Sequence, residues 1–94
     1  MTLRQTFEEA EHGLTGMSYI LKRKYYDDRW NGERDGYLEI EVKDYVEFAD
    51  DSNSLIKVLI KSAFQGHRPG DIEWHDMNWC AQWEIVTRIS QFPI

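Results

Sequence analysis

Ser54-Leu55-Ile56-Lys57-Val58-Leu59-Ile60-Lys61-Ser62-Ala63-Phe64-Gln65 is the stretch on which the fold turns. Wound as a helix, it gathers Ser54, Lys57, Lys61, Ser62 and Gln65 on one face. Leu55, Ile56, Leu59, Ile60, Ala63 and Phe64 gather on the other, and only Val58 is misplaced. Drawn out as a strand, Lys57 and Lys61 share a face with Leu55 and Leu59. The periodicity therefore predicts a helix over 54–65, with Asp51, Ser52 or Ser54 as its cap and Gly66 as its stop.

Upstream the period changes. From Tyr37 to Phe48 the even positions are Leu38, Ile40, Val42, Asp44, Val46 and Phe48, and the odd ones are Tyr37, Glu39, Glu41, Lys43, Tyr45 and Glu47. Alternation of this kind marks a strand with one apolar and one charged face. Asp44 interrupts the apolar row, so the strand bends, bulges or splits at Lys43-Asp44. Before it, Arg29-Trp30-Asn31-Gly32-Glu33-Arg34-Asp35-Gly36 holds an Asn-Gly and an Asp-Gly, both hairpin signals. The partner strand is 17–28, rich in Tyr, Ile and Leu.

At the N-terminal end Leu3, Phe7, Ala10 and Leu14 form one apolar stripe of a short helix, 3–14. Thr6 with Glu9 is read as its capping box and Gly13 and Gly16 as its end. Downstream, His67-Arg68-Pro69-Gly70 is a turn, and Asp71 caps a second helix with Ile72, Trp79 and Trp83 on one side. The tail 83–89 is strand-like, and Trp74, Trp79 and Trp83 are assigned to the core. The expected fold is α+β: a small antiparallel sheet of two to four strands with helices packed on one face.

The chain has 94 residues, the size of one domain, and no linker divides it, so 1–94 is read as a single domain. One cysteine, Cys80, cannot make an internal disulfide, and no apolar run has the length of a membrane span. A cytoplasmic protein that binds no membrane is expected. The formal net charge is −6, and it is concentrated: residues 27–51 carry ten acids against Arg29, Arg34 and Lys43. Such a segment repels nucleic acid and attracts basic surfaces. With exposed aromatics beside the charge, the expected partner-binding residues are Asp27, Asp28, Trp30, Glu33, Asp35, Tyr37, Glu39, Glu41, Tyr45 and Glu47. The expected partner is a basic protein surface on a nucleic-acid-binding enzyme. A toxin immunity protein fits the same physics.

His67, Asp71, His75, Asp76 and Cys80 raise the question of a metal, since Asp71 and His75 would share a helix face. They contain no Cys-x-x-Cys and no His-Glu-x-x-His, so the reading assigns no metal and no cofactor. Without a phosphate loop or nucleophile elbow it assigns no catalytic residues and no enzymatic activity.

Two resemblances add expectations. Asn53-Ser54-Leu55-Ile56 through Ser62-Ala63-Phe64-Gln65-Gly66, with Asp76-Met77 and Asp35-Gly36, resembles a small acidic type II anti-CRISPR that occupies the PAM-reading site of an RNA-guided nuclease. It implies that Asp35, Glu39 and the acids after Gly70 imitate phosphates. Phe7-Glu8-Glu9-Ala10, Trp30-Asn31-Gly32 with Tyr37-Leu38, and Trp83-Glu84-Ile85-Val86 resemble the Thoeris anti-defence two-like domain, a sponge for cyclic nucleotide signals. That implies oligomers and a pocket in which cations such as Arg23 or Lys61 meet a nucleotide phosphate. The second resemblance implies a strand where the first leaves the helix over 54–65, so that segment separates them.

Overall fold

The computed structural model describes residues 1–9, 15–46 and 54–89. In chain order they form α1 (Leu3–Glu9), β1 (Ser18–Asp27), β2 (Gly32–Val46), β3 (Leu55–Ile60), β4 (Ile72–Asp76), α2 (Met77–Ala81) and β5 (Glu84–Ile89). The strands make one five-stranded sheet in the order β4-β3-β2-β1-β5, and every pairing is antiparallel. β1 to β4 follow one another across the sheet, and α2 returns the chain to the far edge, where β5 joins β1.

The expected helix-layered α+β fold is thus corrected to a sheet-dominated one. Two short helices accompany five strands. The segment that decides this is β3, which is extended. Ile56, Val58 and Ile60 are fully buried on one face, while Leu55, Lys57 and Leu59 are half-buried on the other. Both faces of this strand hold apolar residues, which imitates the apolar stripe of a helix. Val58, misplaced on the helix, is a core residue of the strand. The helix expected from Asp71 is also corrected. Ile72–Asp76 is β4, and Asp76 caps the shorter α2 by accepting the Trp79 backbone N–H at 2.9 Å.

The hairpin between β1 and β2 lies where expected. Asp27 pairs with Gly32, and Asn31 takes a positive φ of 49° in the connection. Asp35-Gly36, by contrast, lies inside β2 with Gly36 opposite Arg23. Gly36 is needed for packing, since a Cβ there would clash with the Phe64 ring and lie 3.2 Å from Tyr25. The irregularity at Lys43-Asp44 is present as a register shift between Val42 and Asp44. It carries Tyr45 to the core side, opposite Ile56, and leaves Asp44 opposite Lys57.

The core lies on one face of the sheet. Tyr19, Leu21, Leu38, Ile40, Val42, Ile56, Val58 and Ile60 meet Leu3 of α1, Met77 and Cys80 of α2, and Trp83. α1 begins with a capping box one turn earlier than expected. The Gln5 N–H donates to Thr2 Oγ1 at 3.1 Å and the Thr2 N–H donates to Gln5 Oε1 at 2.8 Å. Residues 10–14 of the expected helix lie outside the described residues. Trp83 is in the core and Trp79 packs beside it, but Trp74 is half-exposed on the opposite face of the sheet. Among the described residues no helix is long and apolar enough to cross a membrane.

Candidate functional site

β1 is paired along its whole length with β2, but β5 accompanies it only from Ser18 to Lys22. Beyond that point, Arg23 to Asp27 have no second strand beside them among the described residues. Two hollows open along this free edge. Lys22, Arg23, Lys24, Gln82 and Glu84 line one of about 210 Å³. Tyr25, Tyr26, Asp27, Asp28, Arg29, Phe64 and Gln65 line one of about 540 Å³.

Arg23 is the residue between them. Its guanidinium lies 5.0 Å from the Trp83 ring centroid and 5.8 Å from that of Phe64. Nη1 donates to Gln82 Oε1 and Nη2 to Gln65 Oε1, each at 3.1 Å. Its Nε is buried and has no hydrogen-bond partner among the described residues. A guanidinium carries five N–H donors, so this one retains capacity for an anion. Phe64 and Gln65 reach it because Phe64 to His67 is a two-residue hairpin loop. The Phe64 N–H donates to the His67 carbonyl at 3.1 Å and the His67 N–H to the Phe64 carbonyl at 2.8 Å. Gln65 and Gly66 both have positive φ, 36° and 87°, the type I′ pattern.

No family model, curated protein or solved structure matches this chain. The site is therefore weighed on its own chemistry.

The expected acidic surface is only partly continuous. Tyr37, Glu39 and Glu41 alternate down one face of β2 as the spacing predicted, and Glu33 and Asp35, expected in the turn, extend the same row because the strand begins at Gly32; yet cations interleave with them. Asp35 faces Lys24 Nζ at 3.9 Å, and Glu41, buried, is paired with Lys43. Asp27 is bracketed by Arg29 at 3.9 Å and Arg34 at 3.5 Å. Tyr37 lies opposite Lys22. Asp28, Glu33 and Glu39 have no ion pair among the described residues, and Glu47 lies outside them. Tyr45 belongs to the core side, so it is not beside the acids. Trp30 is 70% exposed, with the Arg34 guanidinium 5.0 Å from its ring centroid. Tyr26 is exposed and donates its hydroxyl to Asn31 Oδ1 at 2.6 Å.

A second cluster lies at the other edge. Glu73 and His75 are two apart on β4 and so point to the same face, toward the loop that carries His67. His67 Nδ1 is 2.8 Å and 3.0 Å from the two Glu73 oxygens, and His75 Nε2 is 2.6 Å from Oε1. His75 stacks on Trp79 at 3.8 Å with the rings 9° from parallel. Burial tends to raise the Glu73 pKa, but the hydrogen bonds from His67 and His75 outweigh it and hold the group below the ordinary carboxylate value. Burial lowers the His75 pKa despite the adjacent carboxylate, which favours the neutral ring. Burial and the nearby Asp76 push the Cys80 thiol up to about 12. A helical spacing would set His75 beside Asp71. Strand spacing ties His75 to Glu73 instead.

Proposed function

We propose that this protein is a non-catalytic binder of a small nucleotide-class anion, a sponge for a cyclic nucleotide signal. The observation that carries the reading is the adjacency of a cationic and an aromatic hollow on the open edge of β1. Lys22, Arg23 and Lys24 offer charge-assisted donors to a phosphate. Tyr25, Tyr26 and Phe64 offer π-faces to a base, and Asp27 and Asp28 offer acceptors to ribose hydroxyls or base amines. Glu84 in the cationic hollow lies opposite Lys22 and opposes an anion in part, which leaves Arg23 and Lys24 as the main phosphate ligands. Extended β3 supports the same reading, because a strand there is what the likeness to the Thoeris anti-defence domain implied.

The test is the melting temperature of the protein with cyclic mononucleotides, cyclic dinucleotides and cyclic ADP-ribose, followed by calorimetric titration of any that shift it. A bound probe recovered intact after heat denaturation supports sequestration over turnover. If no probe raises the melting temperature, or if Lys24→Glu leaves the binding unchanged, the reading fails.

Inhibition of a nucleic-acid enzyme by the acidic face is the second reading. Its support is the grouping of exposed Trp30, Tyr26 and Tyr37 with Asp28, Glu33 and Glu39, which have no ion pair among the described residues, on the β1–β2 hairpin. It requires that adding the protein to an RNA-guided nuclease reduce DNA binding, that salt relieve the effect, and that Glu33→Lys with Glu39→Lys abolish it.

A further inference from the structure

A half-buried carboxylate flanked by two imidazoles is not neutralised by hydrogen bonding alone. Glu73 has no lysine or arginine partner among the described residues, and its ion-pair contacts are His67 and His75. The three side chains are each about a fifth exposed, at 17%, 22% and 19%. One donor atom from each lies within 4.8 Å of the others. We propose that His67, Glu73 and His75 form a site for a divalent transition-metal ion, zinc by preference, that ties the Phe64–His67 loop to β4.

The chemistry favours zinc-like ions over magnesium or calcium. Two imidazole nitrogens and one carboxylate oxygen are borderline donors of the His2Glu type, whereas the hard cations take oxygen. Zinc at about 2.0–2.1 Å from each donor requires donors about 3.3 Å apart in a tetrahedron. The present separations from Glu73 are hydrogen-bond lengths of 2.6 to 3.0 Å. The ion is admitted when the contacts to Glu73 open by about 0.3–0.7 Å and the nitrogen of each ring that faces Glu73 gives up its proton, a neutral ring by shifting it to its other nitrogen and a charged ring by releasing one to water. Three protein donors leave the fourth position to water.

The ring positions are set before any ion arrives. His75 is stacked on Trp79, whose backbone N–H is held by the Asp76 cap, and the paired hydrogen bonds between Phe64 and His67 fix the His67 backbone. The ion would also order Gln65, which holds Arg23. The proposal rests on the cluster alone and does not depend on what the β1 edge binds.

The experiment strips the full chain with a chelator and titrates Zn²⁺ by calorimetry and thermal melting, and Co²⁺ by visible absorption. One equivalent is expected. A 100-fold excess over the dissociation constant raises the melting temperature by roughly 10 °C. Co²⁺ gives the intense d–d bands of a four-coordinate site without thiolate charge transfer. His67→Ala, Glu73→Gln and His75→Ala each weaken binding at least about tenfold, and Asp44→Asn, opposite Lys57 on β3, leaves it unchanged. Should a variant fail to fold, the wild-type Co²⁺ spectrum decides. A weak six-coordinate Co²⁺ spectrum with no thermal shift overturns the proposal, and so does Zn²⁺ binding that survives in all three folded variants.

Discussion

The two halves of β1 differ in residue type and in what lies beside them. From Ser18 to Lys22 the strand has β2 on one side and β5 on the other, and Tyr19 and Leu21 are fully buried. From Arg23 to Asp27 only β2 accompanies it. On the core side the row of buried residues passes from Tyr19 and Leu21 to Arg23 and Tyr25, which are half-buried under Phe64. Where a second neighbouring strand is present, the face is filled with apolar packing. Where it is missing, the same face holds a guanidinium between two aromatic rings and borders two hollows. The closed half contributes stability, and the open half is where the proposed recognition would take place.

The largest expected effects break this contrast through stability. Leu21→Ala in the closed half should cost about 2–5 kcal/mol by denaturant unfolding. Gly36→Ala, opposite Arg23, should cost about 1–3 kcal/mol, because the new methyl meets Phe64. Tyr26→Ala, at an exposed position of the open half, should change stability by no more than about 0.5 kcal/mol. That variant should nonetheless weaken nucleotide binding about tenfold by calorimetry, as loss of one base-stacking ring implies. Equal stability losses for Leu21→Ala and Tyr26→Ala would erase the distinction.

The pH dependence gives a smaller effect, and it comes from the β4 edge. Burial lowers the His75 pKa in the folded state, so protonation favours unfolding. The stability tied to the neutral ring is complete above the ordinary histidine pKa and declines as pH falls through about 6.5 toward the folded value. Glu73, also lowered, adds a second loss below about 4.5. Melting temperature should fall between pH 7 and 5, and His75→Gln should flatten that limb. The smallest signal is negative. With its pKa pushed up to about 12 and its side chain buried, Cys80 should resist thiol reagents at pH 8 until denaturant is added.

Much of the sheet was legible wherever one face is polar. β2 alternates cleanly, Asn31-Gly32 sits at the hairpin, Asp44 marks a real irregularity, and the terminal strand has the composition of one. β3 was not legible, because apolar residues on both faces produce a helix-like period. The signal that distinguishes it is β-branching at alternate positions, Ile56, Val58 and Ile60. The acids were easy to count, but their neighbours were not. Lys24 reaches Asp35 only through strand register, and Arg34 reaches Asp27 only across the hairpin. The Glu73–His75 pair follows from the period of 71–76 in the same way: two residues apart share a face on a strand and not on a helix.

The opening residues are joined to the closing strand. Leu3 N–H donates to the Trp83 carbonyl at 2.9 Å, Ile85 N–H donates to the Met1 carbonyl at 2.9 Å, and Thr2 bridges Glu84. β5 therefore begins in a slot between that early segment and β1. During synthesis the slot stays empty until residues 84–89 have left the ribosome, so the core closes over Trp83 only once that segment has emerged. Until then the inner half of β1 is an unfilled edge, and a nascent chain paused at that stage is the form most exposed to mispairing with a neighbour.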